Sequence, residues 1–139
     1  MFSPRPDVLL VEDDAAIREA LSEVLSDEGF LVQTAPHGQA AIDVLAAGAR
    51  PKVILLDLMM PVMDGWQFMQ RMLARDDWAH IPVIVVSAAK EAMPTGARSC
   101  LSKPLDLDVL FDAMSPLCAP AAASPMPPGA PPPAHALHA

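Results

Sequence analysis

Five polar residues follow short apolar runs of this 139-residue chain, at points where strands are predicted to end: Glu12, Asp13, Asp57, Ser87 and Lys103. Because the carboxyl ends of parallel strands meet at one edge of a sheet, we expect these side chains to converge. Two carboxylates about 4 Å apart repel by about 4 kcal/mol at an effective dielectric of about 20, so three of them favour a bound cation. Oxygen ligands favour Mg²⁺. A carboxylate can also act as a nucleophile towards a phosphoryl group, whose oxygens a lysine and a hydroxyl can bind.

The elements that must position these residues are short apolar runs that alternate with segments of helical period. This alternation predicts a parallel sheet covered on both faces, and the strands are apolar throughout, as burial on both faces requires. The predicted strands are Val8–Val11, 30–35, 53–56 (ending at Asp57), 82–87 and 99–101. The predicted helices are 15–29, 39–47, 65–75 and 107–117, with Asp14 and Asp106 as N-caps of the first and last. In the last helix we expect these residues to face inward: Val109, Leu110, Ala113, Met114 and Leu117.

The composition indicates one acidic globular domain. Hydrophobic residues make up 53% of the chain and charged residues 19%, which is enough apolar material for a sizeable core. The net charge of −8, without a basic cluster, argues against direct binding to nucleic acid or to an anionic membrane. The two cysteines have no metal-ligand spacing, and we expect neither a signal peptide nor a membrane span, so a cytoplasmic location is predicted.

The composition changes towards the end of the chain. Residues 119–139 are rich in Ala and Pro and contain no Asp, Glu, Lys or Arg. We therefore predict a folded domain over residues 1–118 and a disordered or polyproline-like tail over 119–139. Pro125, Pro128 and Pro131 fit the spacing of PxxP ligands, although a solvated tail is the more ordinary interpretation.

Four motifs, in order, resemble the receiver domain of two-component response regulators. They are VLLVEDD at 8–14, VILLDLMMPVMDG at 53–65, PVIVVSA at 82–88 and SKP at 102–104. The resemblance covers residues 7–118, and the stretch DLMMPVMDG is highly specific on its own. It implies a doubly wound, flavodoxin-like sheet of five parallel strands in the order 2-1-3-4-5, with helices on both faces.

The resemblance implies a role for each matching residue. Asp57 matches the phosphoacceptor, which takes a phosphoryl group from the phosphohistidine of a kinase. Ser87 matches the hydroxyl residue that closes on the phosphoryl oxygen, and Lys103 matches the lysine that pairs with it. Pro104 matches the usual cis peptide site, and Asp64 matches a structural residue outside the site.

Mg²⁺ is the cofactor that the resemblance implies. Asp13 matches the direct ligand, and Glu12 matches its acidic neighbour, which usually acts through water. Asp57 itself and the backbone carbonyl of Met59 match the rest of the protein ligands.

Three departures from the family pattern bear on signalling. The segment between Ser87 and Lys103 is short by about six residues, or about 9 Å of helical rise, so a shortened or missing fourth helix is expected over 88–95. Cys100 stands where the family often has Tyr or Phe, and we expect a half-buried small hydrophobe there rather than a redox sensor. Met59 and Ala89 stand where fast-cycling members carry polar groups, which predicts slow autodephosphorylation.

We interpret the chain as a stand-alone response regulator, a phosphoacceptor and not an enzyme beyond slow autodephosphorylation. A histidine kinase or phosphotransfer protein and an unidentified downstream protein are the expected partners, reached by binding or phosphorelay. The alternative is a phosphorylation-independent, receiver-like interaction module, which the short segment and Cys100 favour. A metal-dependent hydrolase is disfavoured, because Met59 stands where phosphatases with an aspartate nucleophile need a second acid.

Overall fold

The computed structural model describes residues 7–58, 60, 63–87, 94 and 96–117. These ranges contain five strands and five helices, and no described helix separates the last two strands. The strands are β1 (Val8–Val11), β2 (Val32–Ala35), β3 (Val53–Asp57), β4 (Val83–Ser87) and β5 (Ser99–Ser102). The helices are α1 (Ala15–Asp27), α2 (Gly38–Ala46), α3 (Gly65–Leu73), α4 (Asp76–Ala79) and α5 (Leu107–Met114). The predictions for Met59, Ala89 and the tail at 119–139 lie outside the described residues, as does the expected short helix at 88–95 except for Pro94.

The strands form one parallel sheet in the order β2-β1-β3-β4-β5, which confirms the predicted fold class. Every residue of β1, β3 and β4 is buried, whereas the outer strands β2 and β5 are partly exposed. Strands covered on both faces must be apolar throughout, and this explains the solid apolar runs of the three central strands. The register pairs Val11 with Leu56 and Asp57 with Val86, so the strands end side by side at one edge.

Two hydrophobic layers cover the sheet, because successive side chains of each strand point to opposite faces. One layer packs α2, α3 and α4 against the sheet and contains the fully buried Phe68. The other packs α1 and α5 against the opposite face and contains Leu25 and Leu110. Burying a side chain of this size stabilises the fold by about 1.5–3 kcal/mol.

Aspartates cap three of the helices. The Asp14 carboxylate accepts hydrogen bonds from the amides of Ala16 and Ile17 at 2.9 and 3.1 Å, and Asp106 caps α5 in the same way. Both caps were predicted. Asp64 forms a capping box at the start of α3 with Gln67, which gives it the structural role expected of it.

The helix α4 was not predicted. It is four residues long and buries Trp78 in the hydrophobic layer that contains Phe68. Such a helix is too short to show an amphipathic period, so the sequence pattern carries no signal for it.

The inward face predicted for α5 is wrong at one position. Val109 is 47% exposed, whereas Leu110 and Met114 are buried. Leu110 and Met114 are four residues apart and share the face that packs on the sheet, and Val109 is rotated about 100° from Leu110 around the helix axis.

The second strand begins later than predicted, at Val32 rather than at residue 30. The Phe30 amide donates to the Leu25 carbonyl at 3.1 Å, so this residue belongs to the turn that ends α1. Its ring stacks on Phe111 with the centroids 6.3 Å apart, and this contact packs the end of α1 against the middle of α5.

The peptide bond between Lys103 and Pro104 is cis, as expected. Among the described residues no helix has the length and apolar character needed to span a bilayer.

Candidate functional site

The structure brings the five predicted polar residues to one edge of the sheet. Asp57 and Ser87 are the last residues of β3 and β4, while Glu12 and Lys103 directly follow β1 and β5. The Lys103 ammonium donates to Glu12 Oε2 at 3.3 Å and to Asp57 Oδ2 at 3.4 Å. Carboxylate oxygens of Glu12, Asp13 and Asp57 all lie within 4.8 Å of one another.

The acidic residues after β1 have two structural roles, one in the site and one at the start of α1. Asp14 caps α1, and its amide donates to Glu12 Oε1 at 3.3 Å, which orients the Glu12 carboxylate towards the site. Arg18, which is not among the predicted site residues, donates from Nη1 to the Glu12 carbonyl at 2.9 Å. The backbone of Glu12 is thus held by α1, because an arginine one turn into the helix reaches back over the N-terminus.

Ser87 is buried, at 3% exposure, one residue beyond the pairing of Asp57 with Val86. The Lys103 amide donates to the Ser87 carbonyl at 3.1 Å. The hydroxyl residue and the lysine are therefore held to each other through the backbone of neighbouring strand ends.

Burial dominates the electrostatics of this edge. Glu12 and Asp57 are 3% and 5% exposed, while Asp13 is exposed. Burial, and then the charge of Asp57, raise the pKa of Glu12 to about 7, and the Lys103 ammonium offsets this only in part. Burial also lowers the pKa of Lys103, but the charges of Asp57 and Glu12 outweigh it, so the net pKa of Lys103 is raised.

The donor set of the acidic cluster fits a hard divalent cation. It consists of carboxylate oxygens alone, and Lys103 pairs with two of the three acids. Asp13, the exposed member, leaves one side of the cluster open to water, and Mg²⁺ usually keeps several waters.

Cys100 differs from the expectation. It is an exposed free thiol, and not the half-buried side chain that we predicted. Its neighbour Leu101 packs into the α1 and α5 layer, so Cys100 points to the other face of the edge strand, where no described helix covers it.

A cavity of about 540 Å³ adjoins the cluster. It lies between α1 and the residues that follow β5, and Ile17, Leu21 and Leu105 form part of its largely apolar wall. Ile17 is 39% exposed on this wall. The sequence could not reveal this cavity, because it depends on how far α1 stands from the β5–α5 connection.

A family model described as the response regulator receiver domain matches residues 8–115. Sporulation initiation phosphotransferase F of Bacillus subtilis is 34% identical over 113 residues, which cover 77% of this chain and 89% of the relative. The response regulator protein FleR of Pseudomonas aeruginosa is 40% identical over 111 residues, which cover 76% of this chain but only 23% of FleR. The chain therefore spans most of one curated relative and a small part of another.

The fold has close structural counterparts. The crystal structure of a CheY-like response regulator receiver domain protein from Methanospirillum hungatei matches with a TM-score of 0.70 and 30% identity. The match covers 80% of this chain and 93% of that protein.

Proposed function

Since this chain belongs to the response regulator receiver domain family, we propose that Asp57 accepts a phosphoryl group from a histidine kinase or phosphotransfer protein in a Mg²⁺-dependent reaction. One observation carries the proposal. The Asp57 carboxylate is buried at a strand end with the Lys103 ammonium 3.4 Å away and the oxygens of Glu12 and Asp13 within 4.8 Å.

In the proposed step an Asp57 carboxylate oxygen attacks the phosphorus of a phosphohistidine. The new O–P bond makes an aspartyl phosphate, the P–N bond breaks, and the imidazole nitrogen keeps the electron pair and takes up a proton. The chain's contribution is positioning and charge neutralisation, since little covalent chemistry is left for a protein in phosphoryl transfer.

Lys103 and Ser87 are the residues that receive the phosphoryl oxygens in this proposal. The Lys103 ammonium lies 3.4 Å from Asp57 Oδ2, and it would pair with a phosphoryl oxygen. Ser87 would donate its hydroxyl to a second oxygen. Glu12, Asp13, Asp57 and the Met59 carbonyl would hold Mg²⁺, which when bound supplies positive charge to the phosphoryl group.

The cavity beside α1 gives the donor a place to approach. A phosphorylated histidine must come within bonding distance of Asp57, and the exposed Ile17 with Leu21 and Leu105 offers an apolar surface there. We propose that the donor protein packs against this surface. Phosphorylation then biases an existing conformational equilibrium, and output passes by partner binding or onward phosphotransfer.

Phosphodonor labelling in Mg²⁺ tests the acceptor. We expect labelled wild-type protein and no label in Asp57→Asn, while Asp43→Asn, the same change on the exposed side of α2, labels normally. Label that survives in Asp57→Asn would identify a different acceptor. A wild-type protein that takes up no label would favour the phosphorylation-independent interaction module, which the exposed Cys100 in place of an aromatic residue also supports.

Slow autodephosphorylation is part of the proposal. Met59 and Ala89 offer no side-chain group that binds water strongly. After the donor is removed, the label should decay over much longer than seconds, and decay within seconds would contradict this expectation.

A further inference from the structure

A second cavity lies far from the acidic cluster, between α2, α3 and α4. We call it the α2–α3 groove; its volume is about 530 Å³. Its apolar wall consists of Ile42, Ala46, Ala74 and Trp78. Trp78 is 3% exposed, and among the described residues its indole Nε1 is a buried side-chain donor without a hydrogen-bond partner. A buried donor without an acceptor is costly, so the groove favours a ligand that supplies one.

The polar side chains of the groove are mainly donors. Gln70, Arg71 and Arg75 complete its lining, and the Gln70 amide also carries one acceptor oxygen. Among the described residues no carboxylate lines the groove. The groove therefore offers guanidinium, amide and indole N–H groups above an apolar wall. This combination suits a ligand rich in carbonyl acceptors and apolar surface, with few donors of its own.

Arg75 covers one face of the Trp78 indole. Its guanidinium lies 4.2 Å from the ring centroid, and its Nε and Nη2 donate to the two carboxylate oxygens of Asp77, each at 3.1 Å. Both side chains of this ion pair are about half exposed, and exposure to water weakens the pair. A ligand that displaces Arg75 gains the face of the indole, and the Nε1–H lies at the edge of the same ring.

We propose that the proline-rich segment 125–133 of this same chain binds in the α2–α3 groove. The segment, PMPPGAPPP, has no charged side chain, and its six prolines have no amide hydrogen to satisfy. Polyproline helices make no internal hydrogen bonds, so their carbonyls are free to accept, and aromatic-lined grooves recognise them. A carbonyl of the segment accepts from Trp78 Nε1, and proline rings pack on the apolar wall.

The connection is long enough. Leu117, the last residue described after α5, packs in the layer that holds Val8 and Val53, the first residues of β1 and β3. Arg50, shortly before β3, pairs with Asp77 of α4 at 3.0 Å. Both the end of α5 and the groove thus lie at the edge where the strands begin, on opposite faces of the sheet.

Crossing that edge takes two helix-to-sheet packing distances of about 10 Å, or about 20 Å in all. Residues 118–125 span about 25 Å in the polyproline conformation. These eight residues are therefore long enough to cross the edge of the sheet, and the proposal does not depend on phosphorylation.

Nuclear magnetic resonance of the full chain tests this binding, because the indole groups of Trp66 and Trp78 give separate signals. Replacing Pro125, Pro127 and Pro128 together by Ser keeps the length of the tail and touches no part of the fold. We expect the Trp78 indole resonance to shift and its proton to exchange faster, while Trp66 is unchanged. A control with Ser at 121–123 should leave both signals in place, and a Trp78 signal that superimposes in all three proteins overturns the proposal.

The reciprocal variant is Trp78→Phe, which keeps an aromatic ring but removes the donor. This variant should shift the Gly129 amide resonance towards the position that Gly129 has in a free peptide of residues 119–139. A Gly129 signal equal to that of the native chain would overturn the role of the indole. Because the binding is intramolecular, the native Trp78 shift should not change on dilution. A concentration-dependent shift would overturn the intramolecular assignment in favour of the tail of a second copy.

Discussion

Replacing Glu12 by Gln should stabilise the metal-free protein at alkaline pH. Glu12 is 3% exposed beside Asp57, and these surroundings raise its pKa from 4.5 to about 7. Because the folded state binds the proton more tightly than the unfolded state, the stabilisation that Glu12 contributes is complete below pH about 4.5. It is lost as the pH rises through about 7. Glutamine mimics the protonated acid at every pH, and its amide oxygen can still accept from the Asp14 amide.

The size of this pH-dependent stabilisation follows from the difference between a pKa of 4.5 in the unfolded state and about 7 in the folded state. Each pKa unit corresponds to about 1.4 kcal/mol. Ionisation of Glu12 lowers the unfolding free energy of the wild-type protein by about 3 kcal/mol at pH 8 and by less than about 1 kcal/mol at pH 5. The advantage of Glu12→Gln should therefore grow by about 2.5 kcal/mol between these two values. Any pH-independent effect of the amide cancels in that difference.

Urea unfolding at several pH values, in a chelator and at constant ionic strength, measures this difference through tryptophan fluorescence. Glu23→Gln is the matched control, because it makes the same change at an exposed position of α1 and should show no comparable growth. An advantage for Glu12→Gln that is equal at pH 5 and pH 8 would refute the reasoning from burial and from the charge of Asp57. In saturating Mg²⁺ at pH 8 the wild type should become more stable than Glu12→Gln, since a bound ion would stabilise the ionised cluster of the wild type.

Three further substitutions, with Lys52 as a control for the first, test the fold. Asp7→Ala should lower the unfolding free energy by about 1–3 kcal/mol, because the buried Asp7 carboxylate accepts a hydrogen bond from the Leu31 amide at 2.9 Å. Removing the side chain of Lys52, the exposed ion-pair partner of Asp7, should lower it by less than about 1 kcal/mol. Gly65→Ala should cost about 1–3 kcal/mol in urea unfolding, because the added Cβ would lie 2.8 Å from the Leu58 Cα, and a variant as stable as wild type would show that the α3 start can move. Phe68→Ala should lower stability by about 3–5 kcal/mol in the same assay, and a loss below about 1 kcal/mol would contradict its place in the core.

Much of the fold could be predicted because its signals are local. The central strands are buried on both faces and so are apolar throughout, and the caps at Asp14 and Asp106 act within three residues of the helices they begin. The sequence pattern failed where exposure depends on distant packing. Val109 and Cys100 have apolar side chains, yet both lie on surfaces that the described elements leave uncovered.

The sequence by itself determined which chemical groups stand at the strand ends and in what order. Carboxylates at 12, 13 and 57, a hydroxyl at 87 and an ammonium at 103 are properties of the residues, and the period of the apolar runs assigns them to one edge of a sheet.

Only the tertiary structure decided how these groups act on one another. Lys103 and Glu12 are 91 positions apart in the chain but 3.3 Å apart in space, and this approach together with burial sets the raised pKa of Glu12. Among the described residues the buried Nε1–H of Trp78 has no hydrogen-bond partner, and this likewise arises from packing between α4 and its neighbours. Burial and Coulomb interactions depend on distances through space, and those distances exist only after the strands have paired and the helices have covered them.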